Sequence, residues 1–238
     1  VTFTAADVFA SASSTLLDPS YRRWTVPTLR DYLNDGLRAI INAKPNANTK
    51  TVTLTLVAGS LQSLPATYTV LSRVTRNLTI AHGVAGGPAG AAAIRPLRSR
   101  DLLDAMIPDW QSNDSLQHDI VKHVIYDLAD PRRFYVAPAN DGTGKVEAVV
   151  GAYPAIIGPA ASNPDQASSY AAAVVDLPDL YKNPLVDYVL YRAFSMDSGV
   201  QASEARAQKH MAEFQNAISQ TAQGEAAMTL GATLQAGG

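Results

Sequence analysis

Asp141-Gly142-Thr143-Gly144-Lys145 is the run that comes nearest to a phosphate-binding motif. A P-loop needs a glycine five residues before the Gly-Lys pair, and a Ser or Thr after the lysine to reach Mg²⁺. Ala139 and Val146 occupy those two places. The motif therefore fails twice, and Asn140 to Gly144 reads instead as a hairpin loop between two strands. The glycine-rich run Gly83–Gly90 lacks the dinucleotide spacing and reads as a loop. Four histidines are present, His82, His118, His123 and His210. His118 and His123 are five apart, so on one strand they face opposite sides and do not chelate. His210 falls at the edge of a helical face, where a packing or surface role is expected.

Other catalytic patterns are missing. No G-x-S-x-G elbow marks a serine hydrolase. Asp101, Asp104 and Asp109 leave a paired-carboxylate glycosidase open, although Asp101 and Asp104 also suit the early turns of a short helix, where the dipole favours acids. Arg73, Arg76, Arg95, Arg98 and Arg100 concentrate positive charge. They fit DNA phosphate, an acidic partner, or a solvated face with local ion pairs. Asn77-Leu78-Thr79 and Asn113-Asp114-Ser115 match the glycosylation sequon by chance, since no secretion signal accompanies them.

Composition sets the frame for these residues. The 238 residues are 47% hydrophobic and 17% charged, a globular balance with a weakly charged surface. The net charge of −2 provides no bulk attraction to nucleic acid or acidic membranes. Cysteine is absent, which excludes disulfides, thiolate nucleophiles and cysteine-ligated zinc. Val1 to Asp7 has neither the basic nor the apolar stretch of a signal peptide, and no apolar run is long enough to span a membrane.

Helical patterns occupy both ends of the chain. Thr4 to about Leu17 is a helix with Thr4 as cap and Phe9, Ala12 and Leu16 on one face. Thr25 caps a second, with Pro27 in its first turn; Leu29, Leu33, Gly36, Leu37 and Ile40 form its face, and Arg30, Asp31, Asn34 and Asp35 lie off it. Pro45 stops it. Between 51 and 153 the pattern is β-rich. Strands are expected at Thr51–Val57 and Tyr68–Val74, with Gly59-Ser60 as a turn, and at Ile94–Leu97, Ile120–Tyr126, Arg133–Ala137 and Lys145–Tyr153. A short helix from Ser99 to Met106 interrupts them. Two more helices close the chain. The first is apolar almost all round, with only Asp187 and Arg192 charged between Leu185 and Phe194, so its own domain or neighbouring copies must cover most of it. On the last, Ala207, Met211, Phe214, Ile218 and Ala222 share a face, and the chain after Gly224 reads as a tail.

These elements predict an α+β protein: a helical bundle from the N- and C-terminal segments with an inserted antiparallel β-rich domain. The expected division is 1–46 with 176–224 for the helical part, 47–157 for the β part, 158–175 as connector and 225–238 as C-terminal tail.

Several phrases, taken in order, resemble the head-to-tail adaptor proteins of tailed bacteriophages. They are Trp24 followed by Leu33-Asn34-Asp35-Gly36, then Gln62-Ser63-Leu64-Pro65, Val74-Thr75-Arg76-Asn77, Asp101-Leu102-Leu103-Asp104 with Pro108-Asp109-Trp110, Asp130-Pro131 with Phe134-Tyr135-Val136, and Leu177-Pro178-Asp179-Leu180-Tyr181 through Asp187-Tyr188-Val189-Leu190-Tyr191-Arg192-Ala193. The layout is similar to the podophage neck type, that of tail tubular protein A. The likeness covers roughly residues 20–220.

The resemblance implies a structural virion protein of the neck, made in the host cytoplasm, without enzymatic activity or cofactor. It implies a homo-oligomeric ring, typically twelve-fold, that joins the portal protein to the tail nozzle or tail fibre proteins. Genomic DNA would pass through the ring without sequence-specific binding, and no membrane is involved. On this basis helices near 26–44, 180–197 and 202–222 form the ring core. Tyr181, Leu185, Tyr188, Tyr191, Phe194 and Phe214 are the expected subunit-interface residues. Leu230, Thr233, Leu234 and Gln235 are expected to dock on the portal. The competing readings are a different tail-completion or head-closure component, and a carbohydrate-active enzyme on a β platform.

Overall fold

A computed structural model describes residues 2–78, 93–97, 100–108, 110–111, 118–126, 129–196 and 201–235, with only the backbone described for 106, 201 and 225–235. The Gly83–Gly90 loop, Arg98 and Asp109 lie outside the described residues. The chain divides into two units, Val1–Asn48 with Pro154–Gly238, and Thr49–Tyr153. N- and C-terminal helices flank a β-rich middle, so the fold is α+β.

The helical unit begins with α1, Ala5–Leu16. A reciprocal capping box starts it. The Thr4 backbone N–H donates to Asp7 Oδ2 at 2.8 Å, and the Asp7 N–H donates to Thr4 Oγ1 at 3.3 Å. Val8, Phe9, Ala12 and Leu16 are buried, giving the expected inner face. Asp18 then gathers the backbone N–H groups of Arg22, Arg23 and Trp24, which bends the chain into the next helix. Helix α2, Val26–Ala43, is capped by Thr25 and has Pro27 in its first turn. It buries Leu29, Leu33, Gly36, Leu37 and Ile40, and also Asn34.

Asn34 departs from the face assigned by pattern because its amide has a backbone partner. Its Nδ2 donates to the Ile157 carbonyl at 3.0 Å, and its Oδ1 accepts from the Ile157 N–H at 2.9 Å. The 158–175 segment is built into the helical unit rather than strung beside it. Val175 N–H donates to Phe3 O, Ala5 N–H donates to Ala173 O, and Tyr170 is buried with its ring edge-on to Phe9 at 5.4 Å. Helix α4 spans Lys182–Ser195 and α5 spans Gln201–Gln235. Helix α5 therefore continues past Gly224, where the sequence reading placed the start of a tail. A single glycine costs about 1 kcal/mol in a helix, too little to end one whose flanks are rich in Ala, Gln and Glu. Ala222 is exposed, so among the described side chains of α5 Ile218 is the last buried one.

The β unit holds two sheets. One is antiparallel, ordered β1–β7–β3, from Thr49–Thr55, Lys145–Ala152 and Tyr68–Asn77. The other is ordered β2–β6–β5–β4, from Gly59–Ser63, Arg133–Asn140, His123–Tyr126 and Arg95–Leu97. Its β4–β5 pair is parallel, so the sheet is mixed. Leu54, Leu71, Val74, Val146, Ala148 and Val150 from one sheet share a core with Val124, Phe134 and Val136 from the other, joined by Leu56 and Leu64 just beyond β1 and β2. The outer side of the second sheet is covered by α3, Arg100–Met106, through Leu103 and Trp110 on Ile125 and Ala137.

Two local expectations differ from the structure. Gly59-Ser60 starts a strand rather than turning one, since the chain leaves β1 at residues 56–58 and Gln62 secures that connection to the other sheet. The Gln62 side chain accepts from the Val57 N–H at 2.8 Å and donates to the Val57 carbonyl at 2.8 Å. The 140–144 segment is no hairpin, because β6 and β7 belong to different sheets. Asn140 makes this corner. Its Nδ2 donates to the His118 carbonyl at 2.9 Å, and its Oδ1 accepts from the N–H groups of Gly142 and Gly144 at 2.9 and 3.2 Å. A Cβ on Gly144 would collide with the Asn140 amide and stand 2.5 Å from the Asp119 carbonyl oxygen.

Candidate functional site

The paired C-terminal helices and the helix beneath them form the most distinctive constellation of the chain. Leu185, Val189, Leu190, Ala193 and Phe194 of α4 are buried, and Val186, Asp187, Tyr188, Tyr191 and Arg192 are half-buried. Helix α4 is thus covered on most sides by its own unit. Gly36 of α2 permits this closeness. A Cβ there would sit 3.0 Å from Leu185 Cδ2 and 3.1 Å from Tyr188 Cδ1. Trp24 joins the far end, where its Nε1–H donates to the Ala193 carbonyl at 3.3 Å near the C-terminus of α4.

On this scaffold Tyr188 stands edge-on to Tyr191 at 5.8 Å and to Phe214 of α5 at 5.2 Å. Burial is the main cause that raises the Tyr188 hydroxyl above the usual phenol range. Asp187 and Arg192, the two charged residues between Leu185 and Phe194, point to different partners. Arg192 lies 3.6 Å from Asp35 and over the Tyr32 ring at 5.3 Å. Asp187 meets His210 of α5 at 2.9 Å. Near Arg192, the Tyr32 hydroxyl donates to the sulfur of Met196, and Met196 is itself 63% exposed. Tyr32, Asp35, Tyr188, Tyr191, Arg192 and Met196 therefore form a partly open patch of aromatic, sulfur and guanidinium groups on α2 and α4. These residue types are enriched at protein interfaces.

Each expected site residue now has a place. Tyr181, Leu185, Phe194 and Phe214 are buried in their own chain and offer little surface to a neighbour. Tyr188 and Tyr191 keep part of theirs. Leu230, Thr233, Leu234 and Gln235 fall in the last turns of α5, and their side chains lie outside the described residues. Tyr32, Asp35 and Met196 escaped notice as a group, since no local spacing links α2 to the end of α4. One signal was available: Asp187 and Arg192 are the only charges in an apolar stretch, and both proved to have long-range partners.

The other chemical residues have structural occupations. Asp104 accepts from Trp110 Nε1 at 2.7 Å and pairs with Arg100 at 3.4 Å. Arg76 binds Glu147 at 2.8 Å, and hydrogen bonds from Arg76 and then Thr75 hold that carboxyl below its usual range. Arg100 also lies over the Tyr135 ring at 5.6 Å. His118 and His123 line one cavity of about 200 Å³ with Leu103, Ile107, Trp110 and Lys122. The expectation of opposite faces failed because His118 precedes strand β5 instead of sharing it. Two further cavities, of about 250 and 410 Å³, lie in the β unit, and none of the three is lined by two carboxylates.

Comparison with known families fixes what this scaffold is. The family model described as SU10 adaptor protein matches residues 3–235. The chain belongs to that adaptor family. No curated protein matches it. Membership makes this adaptor chain a bacteriophage structural protein that associates with other virion components. Among the described residues of the adaptor, no helix is long and apolar enough to cross a membrane.

Proposed function

We propose that the chain forms the ring of a virion neck, joining the portal to the tail and continuing the DNA channel. The observation that carries this reading is the adaptor-family match across residues 3–235. The podophage neck layout, with twelve subunits, is the arrangement we assign. Helices α2, α4 and α5 form the subunit core. The patch of Tyr32, Tyr188, Tyr191, Arg192 and Met196 meets the neighbouring subunit. Its support is physical: tyrosines with little entropy to lose, half-covered already, beside an arginine and an exposed methionine that can mould to a partner.

The exposed Leu17 extends the argument. It adopts a left-handed backbone, φ 55°, and is 87% exposed. Leucine at such a helix end gains nothing over glycine in an isolated monomer. A neighbouring subunit supplies a reason for it. The last turns of α5 carry the portal contact.

The test is reconstitution with the portal of the same virion, viewed by electron microscopy. A closed ring of this chain seated on the portal is expected. A chain that stays monomeric and leaves the portal bare at micromolar concentration overturns the reading.

A further inference from the structure

We propose that Asp187, His210 and Glu213 form a site for one divalent transition-metal ion, of the Zn²⁺ or Mn²⁺ class, that fastens α5 onto α4. The three residues come from two helices. Asp187 sits in α4, and His210 and Glu213 are one turn apart on α5. His210 Nδ1 is 2.9 Å from Asp187 Oδ1 and 3.3 Å from Glu213 Oε2, and one ligand atom from each of the three lies within 4.8 Å of the others. Ligands held at about 2.1 Å from a common ion stand roughly 3.0–3.4 Å apart, so two of the three spacings already match. The third closes by rotation of Glu213, whose side chain is 45% exposed.

Hydrogen bonding alone serves this cluster poorly. A single Nδ1–H shared between two carboxylate oxygens is well aligned with at most one of them. Among the described residues, the only other cation near Glu213 is Lys209 at 3.6 Å, itself 70% exposed and so a weak partner. The charge sum favours a metal: a neutral imidazole, two carboxylates and one divalent ion add to zero, whereas one imidazolium leaves a net negative charge in a half-buried seam.

The imidazole is also held in place. His210 stacks on Phe194 at 5.8 Å with ring planes 8° apart, and Arg206 covers the same Phe194 ring at 5.7 Å. Stacking of this kind restricts rotation of the ring. Imidazole with carboxylates suits zinc or manganese rather than a soft thiolate-preferring ion. Three protein ligands leave the remaining positions to water or to a neighbouring group.

Calorimetry of the metal-stripped full chain with Zn²⁺, and separately with Mn²⁺, tests the site. One equivalent should bind, and it should raise the melting temperature. Glu213→Gln, a change at a part-exposed position, should weaken binding by about 10-fold or more, and His210→Gln should abolish the thermal shift. His118 and His123 remain in both variants as internal controls. Binding or a thermal shift that survives in His210→Gln, or no binding by the wild type, overturns the proposal, and the cluster is then only an ion pair.

Discussion

Three side-chain amides act in this molecule as if they were short pieces of strand. Asn34 takes both backbone groups of Ile157, Gln62 those of Val57, and Asn77 those of Val121, each as a pair of hydrogen bonds between 2.8 and 3.0 Å. An amide carries one donor side and one acceptor side at nearly the spacing of a peptide group, so it satisfies a residue that has lost its ladder neighbour. Burial makes these clasps strong, because a lost partner would leave two groups without water. Tyr181 is the opposite case. It is 1% exposed, and its hydroxyl has no hydrogen-bond partner among the described residues. Tyr181→Phe should leave the melting temperature unchanged or raise it, by at most about 2 kcal/mol in stability. A clear loss on thermal denaturation would mean that the hydroxyl has a partner after all. Pattern reading placed Asn34 off the apolar face of its helix, because it sorts residues by polarity, and the family resemblance made Tyr181 an expected interface residue. Neither the Ile157 partner nor the burial of Tyr181 has a local sequence signal.

At the scale of elements, the helix boundaries follow local rules closely. Thr4 and Thr25 cap where their sequence context says they should, and Pro45 lies just beyond the end of α2. The α1 cap carries a pH signature. Hydrogen bonds from the Thr4 backbone and then its side chain hold the Asp7 carboxyl below its usual range. An acid lowered in the folded state adds stability above its unfolded pKa and loses it as pH falls through the folded value. Asp7→Asn should therefore flatten the acid side of the stability profile below about pH 4, while costing on the order of 1 kcal/mol at neutral pH. Denaturant midpoints measured from pH 3 to 7 would decide it, and parallel profiles for the two proteins would refute it. Strand pairing followed no local rule of this kind. The Asn140–Gly144 corner carries good hairpin residues, yet it passes the chain between sheets, because Asn140 binds the His118 carbonyl instead of closing a two-strand turn.

For the whole molecule, the length of α5 is the feature with the largest consequence. Its 35 residues extend about 52 Å, against about 21 Å for the 14 residues of α4. Among the described side chains, its buried positions, Ala207, Phe214 and Ile218, all lie before Gly224. A chain ending at Gly224 should keep its melting temperature within about 2 °C, since no described core residue is removed. If the portal contact lies in the last turns, the same truncation should abolish sedimentation with the portal. Normal attachment by the shortened chain would move that contact elsewhere.

Composition, capping residues and the two hydrophobic periods determined the fold class, the helix boundaries apart from the end of α5, and most strands, because each depends on neighbours within a few turns. The ordered phrases from Trp24 to Ala193 also pointed to the adaptor family that the match over 3–235 then established. Tertiary structure alone decided which residues those elements bring together. Arg192 reaches Asp35, Asp187 reaches His210, Asn77 reaches Val121, and four expected interface residues turn inward. Each of these contacts joins residues more than twenty positions apart, and nothing in the local periodicity that sets an element also sets which element packs against it.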